Sequence, residues 1–192
     1  TRSLGVVVIM VHVAGALAAL GEAQRVAVGG DGLAHQGAFV VQRAQREVGL
    51  RHIRLHEQAR EDAANEARFD LSVVIPDRLP PQPTIDDVVA SRLGETFRQR
   101  SVETIVDLAE GEPYVSTIGL DHALDRFPDD LKQRVAAGEL AYAWVEVGDG
   151  PALVIGGRLV PAGPDFYFVH DMTVLESTLA QLRLALGGGA LT

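Results

Sequence analysis

From residue 101 onwards apolar residues recur at every second position in short segments bounded by turn residues, and that spacing requires those segments to be β-strands. Val102, Thr104, Val106 and Leu108 alternate with Glu103, Ile105, Asp107 and Ala109, ahead of a turn at Glu110-Gly111. A second strand is expected over about 113–118 (PYVSTI). Pro128, Asp129 and Asp130 then open a short helix carrying Leu131 and Val135, which Gly138 stops. Strand three is expected at 140–147 (LAYAWVEV), and Gly148-Asp149-Gly150-Pro151 supplies the backbone freedom that a hairpin needs. Strand four follows at 152–160, a turn at 161–164, and strand five at 165–170 (DFYFVH). The fold class is therefore α+β, and an antiparallel five-stranded sheet with helices on one side satisfies this order most simply.

Upstream the period is helical. HEQAREDAANEARFDLSVVI (56–75) places Ala59, Ala63, Ala67 and Leu71 at four-residue spacing. The run RLPPQP (78–83) must break any helix, because proline lacks the amide hydrogen and restricts its predecessor. Thr84-Ile-Asp-Asp87 has the spacing of an acidic capping box and opens a helix expected over 85–99, with Val88, Val89, Leu93 and Phe97 facing inward. Residues 21–55 show no clean period; Gly29, Gly30 and Gly32 make a glycine patch, and an apolar stretch follows at 38–41. At the other end, Thr173-Val-Leu-Glu176 reads as a capping box for a last helix. Its Leu175, Leu179, Leu182 and Leu186 step by four, three and four, as in a coiled-coil seam.

Charge and composition narrow the function classes. Apolar residues make up 47% of the 192, enough for a real core, and the absence of cysteine excludes disulfides, thiolate metal sites and cysteine nucleophiles. Residues 1–100 balance 12 acids with 12 bases, whereas 101–192 hold 14 acids against 5 bases, so the net charge of −9 belongs to the second half. Such a surface repels phosphate backbones and speaks against nucleic-acid binding there. Leu4–Leu20 (LGVVVIMVHVAGALAAL) is an unbroken weakly polar run near the short limit of about 17–25 residues for a membrane helix. A signal-peptide core, or a buried strand followed by an Ala-rich helix, fits the same run.

Five features invite chemical readings. His52 and His56, four apart with Glu57 and Glu61 nearby, have the helical spacing of metal ligands but lack the glutamate of H-E-x-x-H; a solvated helix face has the same pattern. Val26-Ala-Val-Gly29-Gly30-Asp31-Gly32 resembles the strand–GGDG turn of NAD-kinase and diacylglycerol-kinase-like proteins, where glycines let the backbone approach phosphates, but Leu33 replaces the threonine that follows there. Gly148-Asp149-Gly150 lacks the spaced carboxylates of a calcium loop and reads as a hairpin turn. Tyr142, Trp144, Phe166, Phe168 and His170 fall at alternate positions of neighbouring strands, where they line either a ligand pocket on one sheet face or the core. Arg158, the one cation within the expected strands, is placed to pair with Glu146 across the hairpin or to meet an anionic ligand.

The order and spacing of residues 80–192 resemble the extracytoplasmic sensor regions of actinobacterial two-component histidine kinases. The resemblance rests on the helix LKQRVAAGELAY, the P-x-L-V-I-G hairpin (Pro151, Leu153, Val154, Ile155, Gly156), the aromatic strand Phe166-Tyr-Phe168, and the helix LESTLAQLR. It implies a PAS-like sensor domain over 56–192 in the form of a homodimer at the cell membrane, without cofactor. Residues 1–55 would form an N-terminal segment holding a membrane helix at 4–20 and a linker. The helix with Leu175, Leu179, Leu182 and Leu186 would relay a signal to a second membrane helix. Tyr142, Trp144, Arg158, Phe166, Phe168 and His170 are the candidate ligand residues, for a small ligand whose chemistry the sequence leaves open. The kinase core that would engage a response regulator is missing: His56-Glu57 continues as Gln58-Ala59 rather than as a phosphoacceptor motif, and Asn65 is the only asparagine in the chain. The chain thus reads as a non-enzymatic fragment. The competing expectations are a small soluble nucleotide- or metal-dependent enzyme using the GGDG turn and the His52/His56 pair, and an interaction module with no ligand.

Overall fold

The computed structural model describes residues 34–108, 111–148, 150–159 and 163–187, with side chains placed at 49–50, 52–108, 111–148, 150–159 and 163–181. The candidate membrane run Leu4–Leu20 and the GGDG turn lie outside these residues. Among the described residues no helix is long and apolar enough to cross a membrane. The chain divides into two compact units, residues 57–174 and residues 1–56 with 175–192.

Helix α1 spans Ala34–Phe69 and so begins well before the helical pattern at 56. Its final turns bury Ala63 and Ala67, and the stripe continues through Leu71, Ile75 and Leu79 in strict steps of four. An α-helix has 3.6 residues per turn, so steps of four drift by roughly 40° each time. A π-helical turn at Asp70–Val74, closed by the Ile75 N–H on the Asp70 carbonyl, takes up the excess and keeps the stripe inward. Pro76 favours this opening, since its ring would clash with the Ser72 carbonyl of a regular helix. A last turn, α2 (Ile75–Arg78), stops where Leu79 turns extended (φ −126°, ψ 141°) ahead of Pro80 and Pro81, as the sequence requires.

The Thr84–Asp87 capping box forms as expected: Thr84 Oγ1 accepts from the Asp87 N–H (3.3 Å), and the Thr84 N–H donates to Asp87 Oδ2 (2.8 Å). The helix it opens is not continuous to 99. Helix α3 (Ile85–Ser91) ends and α4 (Leu93–Arg98) begins at Arg92, which adopts a left-handed conformation (φ 53°). Ser91 Oγ accepts the Leu93 N–H there, an alternative to the helical ladder. The break turns Val89 out to 57% exposure, whereas Val88, Leu93 and Phe97 are buried as expected.

Strands β1 (Val102–Asp107), β2 (Tyr114–Val115), β3 (Ala141–Val147), β4 (Gly150–Arg158) and β5 (Asp165–Asp171) form one sheet in the order β2-β1-β5-β4-β3, antiparallel throughout. This is the α+β, five-stranded antiparallel sheet flanked by helices that the sequence implies. β2 is shorter than expected, because beyond Val115 the Thr104 N–H donates to the Ser116 side chain (2.8 Å) instead of to a strand carbonyl. A 3-10 turn (Ile118–Leu120) and the short helix α5 (Ala123–Arg126), neither foreseen, precede α6 (Asp129–Ala136), which ends as expected before Gly138 (φ 84°).

Helices cover both faces of the sheet, not one. On the first face, Val102, Val106, Leu153, Ile155, Phe166 and Phe168 pack beneath Ala67, Leu71, Ile75, Val88, Leu93 and Phe97. On the second, Ile105, Ala152, Val154, Tyr167 and Val169 pack beneath Leu120, Phe127, Leu131 and Val135. The cause is the composition of β4 and β5, whose central residues are apolar at consecutive positions and so point apolar groups both ways. The last helix, α7, runs Thr173–Gly187. Its first N–H, on Thr173, donates to Asp171 Oδ1 (2.8 Å), so Asp171 supplies the cap that the Thr173–Glu176 spacing suggested.

Glycine at 156 sets how closely α6 seats on the second face. A Cβ there would collide with Val135 Cγ2 and lie 3.1 Å from the Tyr167 ring. Gly156→Ala is expected to lower the unfolding free energy by about 1–3 kcal/mol, the usual cost of overpacking a tight core, measured by urea denaturation of the full chain against Gly119→Ala, whose added Cβ meets nothing within 4 Å.

Candidate ligand site

The strand register brings the expected residues onto one face but does not make them one pocket. Tyr142, Ile155, Phe168 and Thr104 form a row across the sheet; Trp144, Leu153, His170 and Val102 form the next; and Phe166 lies between Gly157 and Val106. Phe166 and Phe168 are fully buried, Phe168 edge-on against Phe97 at 5.5 Å, and belong to the core. Tyr142 and Trp144 sit on the edge strand β3 at 42% and 38% exposure. His170, half-buried, stands at the far end of β5. Arg158 is on the opposite face. It grips Asp165 on β5 with two bonds, Nε to Oδ1 at 2.6 Å and Nη2 to Oδ2 at 3.2 Å. Glu146 is not its partner, because the hairpin places Glu146 opposite Pro151, at the other end of β4.

Asp107 stands next to this pair in the same cross-strand row, opposite Asp165. Burial, and then the Asp165 carboxylate, push the Asp107 carboxyl up from its ordinary value, while Arg158 and Lys132 hold it back. Burial likewise pushes the Tyr167 phenol up. A second charged group passed unnoticed in the sequence. Asp70, 1% exposed within the π turn, takes Arg100 Nη2 at 2.7 Å, and Arg100 Nη1 reaches Glu66 Oε1 at 3.1 Å. Burial pushes the Asp70 carboxyl up despite its bond to Arg100. The available signal was an acid one residue before the buried Leu71 of the helical stripe.

Among the described residues of 57–174, two clefts bear on the expected site. The first, of about 690 Å³, lies on the second face where β5 hands over to α7, and is lined by Glu103, Val147, Ala152, Val169, Asp171 and Thr173 among others. Its wall is tied to the hairpin: the Met172 N–H donates to the Pro151 carbonyl at 2.9 Å, and a Cβ on Gly150 would come 2.7 Å from Thr173 Oγ1. The second cleft, of about 460 Å³, lies beside Tyr142 and is lined by Arg60, Arg68, Arg134, Asn65, Leu140 and Ala141 among others. Of the six expected ligand residues, Tyr142 alone lines either cleft.

In the other unit, His52 and His56 are in ring contact (centroids 4.4 Å apart), and His56 Nε2 lies 2.9 Å from Glu176 Oε1 of α7. Among the described residues no three His, Cys, Asp or Glu side chains are grouped to hold a metal ion. Leu179 is 2% exposed and Leu175 half-buried, so at Leu179 the expected seam is already covered within one chain. Leu182 and Leu186 lie outside the residues whose side chains are described. No family model, curated protein or solved structure matches the chain.

The raised Asp107 carboxyl has a direct thermodynamic consequence. A carboxyl that binds its proton more tightly folded than unfolded contributes fully at low pH and loses that contribution as pH rises from the ordinary aspartate value, about 3.9, through the raised folded value. Asp107→Asn is therefore expected to match the parent chain in stability near pH 3 and to exceed it at pH 7, the gap opening across that interval in urea unfolding curves. An equal gap at both pH values would contradict the assignment.

Proposed function

We propose that residues 57–174 form the signal-sensing extracytoplasmic domain of a membrane histidine kinase, in a chain that lacks the kinase core and relays through α7 to a membrane helix. One observation carries this reading: the wall of the 690 Å³ cleft includes Thr173, the first residue of α7, and Asp171, which accepts its N–H. Strand β5 lies in the middle of the sheet, and only Met172 separates it from α7. A ligand in the cleft thus touches the groups that set the first turn of the helix, and it biases the receptor by whatever difference in affinity it has for the two arrangements. The His56–Glu176 contact makes the relay a property of α1 and α7 together, in place of a leucine seam on α7 alone.

The test uses the intact gene product. Its coding sequence beyond Thr192 is expected to encode about 20 apolar residues followed by a phosphoacceptor histidine and an ATP-binding domain. In membranes supplied with ATP, Gly119→Trp is expected to change basal autophosphorylation severalfold, since Gly119 lines the cleft and has open space around it. A downstream sequence without a span and kinase core overturns the reading, and so does unchanged autophosphorylation in that variant.

A further inference from the structure

We propose that the cleft beside Tyr142 binds a small oxyanion carrying two or more carboxylate or phosphoryl groups. Residues 101–192 hold 5 bases against 14 acids, so Arg134 is one of few cations in that half. It nevertheless lines the same cleft as Arg60 and Arg68 of α1. The lining includes one acid, Glu61, whose carboxylate is well exposed and 3.9 Å from Arg60.

Two of the three guanidinium groups are held in place by neutral partners. Arg60 Nη1 donates to Tyr142 Oη at 3.1 Å, with the guanidinium 5.1 Å from the ring centroid, and Arg68 Nη1 donates to Asn65 Oδ1 at 2.9 Å. These bonds orient the groups without neutralising them, while Glu61 and Glu57 offset part of the charge of Arg60. Arg134 is ion-paired with Glu139 (Nε to Oε2, 2.9 Å), which fixes the group and offsets part of its charge. The lining also includes the apolar residues Leu140, Ala141 and Ile155. Guanidinium groups bind planar carboxylate and phosphoryl oxygens through paired N–H donors, which lysine does not reproduce. A volume of about 460 Å³ is more than one simple anion needs and accommodates a polyvalent one. The arginines gather at one end of β3, around Leu140 to Tyr142, instead of following the strand, which favours a compact anion over an extended acidic segment. The inference stands on this geometry whether or not the chain belongs to a receptor.

The test titrates the full chain with succinate, citrate and inorganic phosphate at ionic strength matched with sodium chloride, read by calorimetry and melting temperature. At least one of the three anions is expected to bind saturably and raise the melting temperature, with carboxylate and phosphate arms separating the two chemistries. Arg68→Gln, a change at an exposed residue, is expected to weaken that binding at least about tenfold, the loss of one charge-assisted paired contact, with unaltered circular dichroism. Arg60→Gln combined with Arg134→Gln is expected to abolish it. Melting temperatures that follow ionic strength alone, affinity retained in Arg68→Gln, or binding only to vesicles of anionic lipid would each overturn the proposal.

Discussion

Strands β4 and β5 run through the middle of the sheet with side chains buried on both faces, so a single layer of helices cannot complete the core. Phe166, Tyr167, Phe168 and Val169 are consecutive and all buried. Fully burying a side chain of this size contributes roughly 1.5–3 kcal/mol, and half of that gain would be lost if one face met water. The end of α1, with α2, α3 and α4, supplies the first cover; α5, α6 and the 3-10 turn supply the second.

Packing this dense leaves charged groups few places, and the structure holds them as pairs. Asp70 and Arg100 join the π turn to the residues before β1, thirty positions away in sequence. Asp70 Oδ1 has no hydrogen-bond partner among the described residues. A half-satisfied buried carboxylate is costly, and removing its cation would leave the charge uncompensated. The pair is therefore a weak source of net stability, though one whose loss on either side would be costly. Arg158 and Asp165 form a second such pair, bridging β4 and β5 through two hydrogen bonds.

Much of this architecture was legible because local signals and tertiary packing agree. Pro80-Pro81, the Thr84 capping box, Gly138 and the turn at Gly148 each punctuate the chain where the sequence says they should, since each acts through its own backbone. The failures have a common physical origin: they depend on partners distant in sequence. Nothing local distinguishes Val88, which is buried, from Val89, which is exposed; the break at Arg92 decides it. Helix cover on both faces follows from strand order, which alternation alone does not encode. The aromatic row was correctly assigned to one face, because period two fixes facing, but its division into core (Phe166, Phe168) and edge (Tyr142, Trp144) needed the order β5-β4-β3. The arginines of the second cleft could not be grouped from sequence at all, as Arg60 and Arg134 meet only through that edge.

The position of the clefts relative to the strands limits what each can do. The cleft at Tyr142 is lined by an edge strand, the end of α1 and α6, away from the point where the chain leaves the sheet. A ligand in the larger cleft meets Asp171 and Thr173, where one N–H from Met172 and one from Thr173 fix the direction in which the chain leaves the sheet. Each such hydrogen bond contributes about 0.5–1.5 kcal/mol net, close to the 1–3 kcal/mol typical of coupling between sites. Under the proposed sensing role, rearranging two such bonds would supply a coupling of that size.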